Sequence, residues 1–272
     1  MKKKIRWDNI IALLLIIICF IGLCTSFYKI FIWKNDNDSI NEQLENINEM
    51  VEIEEVVNND NVEIIEEETV NAANPYWDYV NMSMIHVDFS ELKANNSDVI
   101  GWIQVNGTNV NYPFVQTNDN KFYLKHSFDK SYNTGGWIFL DYRNNSNLED
   151  KNNILYGHRR QNLTMFGSLK GIINNGWLND TNNFVIKISN EKENSLWQVF
   201  SIYHIKTTSD YLKVNFDSDE DFLEFSDMLI ERSLYNFNTK LTKDSKILTL
   251  STCYNDEERM AIHAKLIKKE SR

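Results

Sequence analysis

The chain has 272 residues, of which 42% are hydrophobic, so it is long and apolar enough for one or two packed domains. Nine glycines and two prolines are too few for a low-complexity chain. The formal net charge of −11 argues against a nucleic-acid partner, because proteins that bind nucleic acids present basic surfaces.

The N-terminal segment predicts a membrane anchor. Several basic residues precede an apolar run from Ile10 to Ile32, within which Lys29 is the one charged residue. About 20 apolar residues span a bilayer as a helix, and flanking charges of this kind favour a cytoplasmic N-terminus and an extracellular remainder. A cleaved signal peptide is the alternative, and Cys24-Thr25-Ser26 leaves it open, although the run is long for one. We therefore assign residues 1–34 to a cytoplasmic tail and a single transmembrane anchor in the cell membrane.

Residues 35–73 are expected to form an acidic linker. Positions 35–70 carry thirteen acidic and no basic residues, more than the net charge of the whole chain. Like charges keep a segment extended and solvated, but Ile40, Leu44, Ile47 and Val51 lie at helical spacing, so a helical piece is possible. The linker is either a spacer that holds the following domain off the membrane or a tolerated disordered segment.

Residues 74–272 are expected to fold into one domain of many short strands. Asn106-Gly107 between two apolar runs is typical of a type I′ hairpin turn. Strands are expected at 99–105, 108–115, 137–141, 153–158, 184–188, 197–205, 247–253 and 260–267. Helical segments are expected near Tyr76 and at 88–93, 120–124, 164–173 and 217–235. Few helices and no alternation of strand and helix predict a mainly antiparallel barrel or sandwich.

Cys253 is the main candidate for chemistry. It closes an apolar strand and is the one cysteine outside the N-terminal apolar run, so it has no partner for an intramolecular disulfide. Such a thiol is either buried and inert or a nucleophile. A nucleophilic thiol needs a His to activate it and a group that stabilises an oxyanion.

Two residues could supply these functions. His158 closes the strand at 153–158 as Cys253 closes its own, whereas His86 and His126 lie in polar or mixed stretches, and His204 and His263 suit half-buried or surface positions in strands. Arg259 follows Cys253 by six positions and is either a surface residue or an electrostatic partner of the thiol. An Arg cannot act as a base, but it can hold a carbonyl and stabilise an oxyanion.

Other chemistries lack a motif in this sequence. There is no C-x-x-C or H-x-x-x-H spacing for zinc, and no phosphate-binding or G-x-S-x-G motif. Asp129, Asp141 and Asp150 are interpreted as ordinary turn and strand-end acids.

The T-L-S-T-C strand with an Arg downstream resembles the signature of the sortases, membrane-anchored cysteine transpeptidases of Gram-positive bacteria. Y-G-H at 156–158 and Arg259 correspond to the family's His and Arg. Further stretches are similar to class B in particular: Gly101 to Ile103, Asp119 to Leu124, Gly136 to Asn144, Met165 to Leu169 and the helix at 217–235. The likeness covers roughly residues 77–267.

This resemblance implies a fold and a reaction. The fold is mainly β: an eight-stranded β-barrel with N-terminal helices and an extra helix before the penultimate strand, preceded by one transmembrane helix. Cys253 would attack the carbonyl of a threonine in a sorting signal, cleave after it and form a thioester that an amino group resolves. His158 would serve as general acid and base, and Arg259 would steady the oxyanion and the signal peptide.

The resemblance also implies binding residues and partners. The family's peptide groove maps onto seven residues: Asn120, Leu124, Thr207, Tyr211, Leu212, Ser251 and Thr252. The expected partners are surface proteins with an N-P-x-T-x-like or related sorting signal and an amino group of the peptidoglycan cross-bridge or its lipid-linked precursor. Class B enzymes need no calcium, and no metal or cofactor is expected here.

Two departures from the family pattern lie near the site. Arg159-Arg160 follows His158 where class B enzymes commonly have Asn, and Tyr254 follows Cys253 where an acid is familiar. Both could alter the peptide preference. A peptidase that hydrolyses rather than transfers, and an idle binding module with a structural Cys253, remain alternatives.

Overall fold

The structure is a computed structural model that describes residues 7–56, 61–65, 76–253 and 257–272, without the side chains of Asn175 and Cys253. The expected domain start at Asn74 and the departure at Tyr254 lie outside the described residues.

The N-terminal part is one helix, α1, which runs from Trp7 to Met50. By length and composition it could cross a membrane, and its most apolar 18-residue window is not buried against any of the residues that the structure describes. The helix continues through residue 34, where anchor and linker were expected to meet. The linker residues at helical spacing lie in residues 35–50 of α1, which we call the outer half of the helix. Ile40 and Ile47 are buried there.

Eight strands close into the expected barrel. The strands in chain order are β1 Ile53–Val56, β2 Val62–Ile64, β3 Met84–Val87, β4 Val99–Val105, β5 Asn111–Val115, β6 Phe139–Leu140, β7 Asn152–Tyr156, β8 Val185–Asn190, β9 Glu193–Lys206, β10 Ile247–Cys253 and β11 Glu258–Ser271. The order around the barrel is β10-β7-β6-β5-β4-β8-β9-β11, and β11 pairs back onto β10. Outside this ring, β2 pairs with β11, and β1 with β3.

The remaining helices are short. They are α2 Tyr76–Val80, α3 Ser90–Asn95, α4 Asn175–Leu178 and α5 Asp219–Glu231, with 3-10 turns at Phe122–Leu124, Gly167–Ile173, Thr181–Asn183 and Asp210–Leu212. The extra helix before the penultimate strand is α5. Its first turn carries three acidic residues, which complement the helix dipole, and Ser218 caps it by accepting from the Asp221 N–H.

Two apolar clusters hold these elements together. The larger fills the barrel and includes the fully buried Trp102, Trp137 and Trp197. In the smaller, Phe222 and Leu229 of α5 pack on the outside of the barrel over Phe200. Burial of side chains of this size contributes about 1.5–3 kcal/mol each, so the second cluster fixes α5 firmly to β9 and to the strands that follow.

One local expectation was wrong. The β4–β5 connection spans residues 106–110, and only Gly107 has a positive φ, of 69°, so the two left-handed residues of a type I′ turn are not present. The Thr108 hydroxyl donates to Val105 O at 2.8 Å within this loop. The helical segment expected at 164–173 is a 3-10 helix that runs from Gly167 to Ile173.

Candidate active site

Three neighbouring strands bring the candidate residues to one rim of the barrel. β7 and β10 are parallel, so both end at the same rim, and β11, antiparallel to β10, begins there. In a closed sheet adjacent strands lie about 4.8 Å apart. Because β10 lies between the other two, residues at these ends follow the order His158, Cys253, Arg259 across the rim.

Cys253 and Arg259 are direct partners in the β10–β11 ladder. Cys253 is the last residue of β10, so the strand ends where it was expected to end. Arg259 is half-buried, and one of its Nη atoms lies 3.3 Å from Glu258 O.

His158 lies two positions beyond the end of β7. The β7–β10 ladder pairs Tyr156 with Ser251, and the Gly157 N–H continues it by donating to Ser251 O at 3.3 Å. The Nε2 atom of His158 lies 2.8 Å from Leu124 O. Since a carbonyl only accepts, Nε2 carries the proton, and Nδ1 is the basic nitrogen of the neutral ring.

Gly136 allows this close approach. Its φ is +58°, and a Cβ there would lie 2.5 Å from Tyr123 O and 2.8 Å from Cδ2 of His158. No side chain fits between the His158 ring and the backbone that it binds. The glycine therefore permits the His158–Leu124 hydrogen bond.

A cleft of about 630 Å³ opens at this rim. It is lined by Leu124, Tyr156, Gly157, His158, Thr207, Thr208, Ser209, Tyr211, Leu212, Ser251, Thr252 and Arg259. Six of the seven residues mapped to the peptide groove are thus in one cleft with His158 and Arg259. Asn120 is the exception: it does not line this cleft, and its Oδ1 accepts from the Tyr142 N–H at 3.0 Å.

An ion pair between the exposed Arg143 and the buried Asp141 supports one wall of the cleft, and the sequence interpretation missed it. Arg143 binds Asp141 through two hydrogen bonds of 2.9 and 2.7 Å and donates to Leu212 O at 3.1 Å. Tyr156 also donates to Asp141, at 2.8 Å. Burial raises the pKa of Asp141, but the bonds from Arg143 and Tyr156 outweigh it and hold that pKa below its usual value. Asp141 is therefore a structural carboxylate; its position inside the Gly136–Asn144 stretch was the available signal.

A second polar network lies beneath the cleft, centred on His263. We expected a half-buried or surface residue, but His263 is fully buried. Its Nδ1 lies 2.9 Å from the Thr249 hydroxyl, and its Nε2 lies 3.0 Å from the Tyr203 hydroxyl. Thr249 in turn donates to Asn152 at 2.6 Å, so His263 donates to Thr249 and accepts from Tyr203.

This network connects the three strands of the rim to the cleft wall. The Asn152 side chain donates to Tyr211 O at 3.3 Å, and the Tyr211 hydroxyl lies 2.9 Å from the Ser251 hydroxyl. Burial, with a smaller contribution from Arg232, lowers the pKa of His263 to about 3. The ring is therefore neutral at physiological pH, as its two opposite roles in the chain of hydrogen bonds require.

Among the residues that the structure describes, no group of three His, Cys, Asp or Glu side chains is arranged to hold a metal ion. The rim brings the backbone of Cys253 next to the strands that carry His158 and Arg259.

Comparisons with known proteins identify the family. The family model described as the sortase domain matches residues 103–267. Sortase B of Staphylococcus aureus is 33% identical over 188 residues, which cover 68% of this chain and 76% of that protein.

Solved structures agree with this match. A Bacillus anthracis protein described as similar to sortase B has a TM-score of 0.66 and 31% identity, with 87% of this chain and 97% of that one covered. A Staphylococcus aureus sortase B–substrate complex has a TM-score of 0.62 and 34% identity, with 66% and 84% covered. The likeness extends over the whole barrel and its cleft, so this chain belongs to the sortase family of cysteine transpeptidases, and within it to class B.

Proposed function

We propose that this sortase cleaves a C-terminal sorting signal after threonine and joins the protein to a cell-wall amino group through a thioester on Cys253. The observation that carries the proposal is the rim at which β7, β10 and β11 meet. There, Cys253 ends the central strand, Arg259 lies opposite it, and His158 follows the neighbouring strand.

The first half of the reaction forms the thioester. The Cys253 thiolate adds to the threonine carbonyl carbon, and the Arg259 guanidinium stabilises the oxyanion that develops. Nδ1 of His158 takes the proton of the Cys253 thiol as the thiolate forms, and when the carbon–nitrogen bond breaks it gives that proton to the departing amine. With Nε2 bound to Leu124 O, Nδ1 of His158 is the nitrogen that exchanges this proton.

The second half transfers the acyl group. An incoming amine adds to the thioester carbonyl, its proton passes to His158, and Cys253 leaves as a thiolate. Microscopic reversibility makes the same three residues serve both halves. The acceptor is an amino group of the peptidoglycan cross-bridge or of its lipid-linked precursor, and no cofactor takes part.

The cleft would hold the sorting signal. We propose that Leu124, Thr207, Tyr211, Leu212, Ser251 and Thr252 contact an N-P-x-T-x-like or related peptide, with Asn120 near its edge. The substrate complex known for the Staphylococcus aureus enzyme supports a peptide at this cleft. The apolar half of α1 would anchor the enzyme in the cell membrane, with the N-terminus cytoplasmic and residues 74–272 as an extracellular catalytic domain.

Intact-protein mass spectrometry tests the reaction. The full-length enzyme in detergent is mixed with a panel of N-P-x-T-x and S-P-x-T-x peptides, with and without glycine or diaminopimelate-type amines. We expect an adduct equal to the peptide truncated after threonine, consumed when amine is added and absent in Cys253→Ala.

Three other outcomes count against the proposal. An adduct that water removes as fast as amine indicates a peptidase. No adduct with any peptide, together with a thiol inert to a methylthiosulfonate reagent, indicates a binding module. Turnover by Cys253→Ala removes Cys253 from the mechanism.

A further inference from the structure

The outer half of α1 is bound to the catalytic domain rather than separated from it. The helix passes from its apolar part to Met50 with no break. Asp36, Asn37, Ile40 and Ile47 are buried although they lie in the most acidic part of the chain. These residues lie on one face of the helix, since positions separated by three, four, seven and eleven residues share a face.

Polar contacts fix the first turn of this outer half. Asp36 accepts hydrogen bonds from both the N–H, at 3.2 Å, and the hydroxyl of Thr134, and its backbone carbonyl accepts from Asn133 at 3.0 Å. The next residue, Asn37, accepts from Arg160 and from Asn162. The helix therefore joins two loops, 133–136 and 158–162, and both contact His158 or contain it.

Arg160 explains one departure of this sequence from the family pattern. Its side chain is about nine-tenths buried, and its guanidinium occupies the space next to Gly135 where a Cβ would lie. Burial lowers the pKa of Arg160, and the nearby Asp36 carboxylate opposes that shift. A buried cation needs opposite charge and hydrogen bonds to compensate its desolvation. α1 supplies the nearby Asp36 charge and one hydrogen bond, to Asn37, while Nε and Nη1 of Arg160 have no partner among the described residues.

A second contact prevents α1 from pivoting about the first. Gln43, two turns further along, donates to the Ser127 hydroxyl at 3.2 Å and accepts from the Asp129 N–H at 3.2 Å. Ile40 is buried between the two polar contacts, and Ile47 is buried beyond the second. These four points of contact give the helix one orientation on the domain.

This attachment sets the height of the cleft above the bilayer. The apolar run ends at Ile32, and Asp36 follows four residues later, which is about 6 Å along a helix. The headgroup layer on each side of a bilayer is also about 6 Å deep. Trp33, of a residue type enriched at membrane interfaces, lines the same 200 Å³ cavity as His158, Arg159 and Gln161.

We infer that α1 holds the His158 rim of the barrel against the lipid headgroup layer, so that the cleft opens at the membrane surface. Residues 35–50 are then a rigid brace, and the spacer interpretation of this part of the linker is replaced. The partner of the surface formed by Trp33, Lys34, Arg159 and Gln161 is the bilayer, and the two basic residues favour anionic headgroups. The inference rests on the proposed membrane anchor but does not depend on the catalytic step.

Depth-dependent fluorescence quenching tests this position. The full-length chain carries Cys19→Ser, Cys24→Ser and Cys253→Ala, plus one new cysteine, either Gln161→Cys at the His158 rim or Glu149→Cys. Both positions are exposed, and Glu149 lies before the start of β7, at the opposite rim. Since five strand residues span about 16 Å, a bimane at 149 lies well outside the headgroup layer.

The proteins are placed in vesicles of equal parts phosphatidylcholine and phosphatidylglycerol, with and without lipid that carries a nitroxide on its headgroup. We expect several-fold stronger quenching at 161 than at 149. Equal weak quenching at both positions in proteins that float with the vesicles overturns the inference and leaves the proposed reaction untouched. Failure to float with the vesicles removes the anchor and the inference together.

An insertion shows whether α1 sets the distance. Seven helix-forming residues inserted after Lys34 raise the domain by about 10 Å and turn the helix by nearly two full turns, so the docking face keeps its direction. We expect the bimane at 161 to lose its quenching in this variant while flotation is unchanged. Retained quenching would mean that something other than the helix holds the rim at the bilayer.

Discussion

Arg259 lies directly opposite Cys253 in the ladder between the last two strands. Opposite Cα atoms in an antiparallel pair are about 4.5–5.5 Å apart, so the backbones of the two residues lie side by side. The hydrogen-bonded backbone, rather than a flexible loop, sets their separation. A change at Arg259 should therefore alter chemistry at Cys253 without altering where Cys253 lies.

Arg259→Lys should lower kcat/KM for a sorting peptide by about 10²- to 10³-fold, the effect typical of losing an oxyanion donor. A lysine keeps the charge but not the planar fork that binds two oxygens. Steady-state kinetics with peptide and amine would measure this. Arg272→Lys, one residue beyond the far end of β11, is the matched control and should leave kcat/KM unchanged. A nearly normal rate for Arg259→Lys would make Arg259 peripheral.

Gly136→Ala should impair catalysis through His158. The new Cβ would meet Tyr123 O and the His158 ring, and the left-handed backbone strains any other residue by about 1–2 kcal/mol. A displacement of the order of 1 Å at a reacting group can cost about 10²-fold in rate. Gly171→Ala is the control, because it has open space and no positive φ. Full activity of Gly136→Ala, measured well below its melting temperature, would show that the His158–Leu124 contact is dispensable.

Tyr211→Phe should weaken peptide binding more than the chemical step. The change removes the hydrogen bond between the Tyr211 and Ser251 hydroxyls, which contributes about 1 kcal/mol to stability. The buried Ser251 hydroxyl then lacks this partner. We expect KM to rise several-fold with kcat little changed, and Tm to fall by about 2–4 °C. Tyr132 has an exposed side chain, so Tyr132→Phe should leave KM, kcat and Tm unchanged. An unchanged KM would place the peptide away from this wall.

Stability should fall as pH decreases because of His263. Its pKa is about 3 in the folded state and 6.5 when exposed, so between these values the unfolded chain binds a proton that the folded one does not. The contribution is complete above pH 6.5 and is lost progressively as the pH falls toward 3. Between pH 7.5 and 5 it amounts to about 2 kcal/mol.

Urea unfolding at a series of pH values would measure this dependence. His263→Gln should be less stable at pH 7.5 and should lose about this much of the pH dependence, since Gln does not titrate. Parallel curves for the two proteins would show that His263 is not the group responsible.

The sequence predicted β7 and β10 because each is a short apolar run that is followed or closed by a chemically capable side chain. It could not show that β7 and β10 are parallel neighbours, since Thr249 and Asn152 bond across 97 positions and no local pattern encodes that pairing. The motif resemblance supplied the missing information. The roles of Cys253, His158 and Arg259 remain predictions.

Burial depth was the main limit of the sequence interpretation. The alternation of side chains in β11 indicates which face of the sheet carries His263, but it does not show whether that face is buried. The apolar cluster that includes α5 covers it. The spacing of Ile40 and Ile47 indicated a helix, yet nothing in the acidic segment indicates that Thr134 and Arg160 would bind it. Contacts of this kind depend on loops that are distant in sequence.

The barrel closes only when β10 and β11, the last two strands of the chain, insert between β7 and β9. Folding of the barrel therefore finishes late in synthesis. Until residues 247–271 are complete, β7 and β9 expose unpaired edges, and such edges are slow to find distant partners and prone to aggregation. The same closing segment carries both the thiol and the guanidinium. A chain that stops before residue 247 therefore has neither a sealed barrel nor the proposed nucleophile, and we expect enzymatic competence and resistance to proteolysis to arise together once β11 is complete.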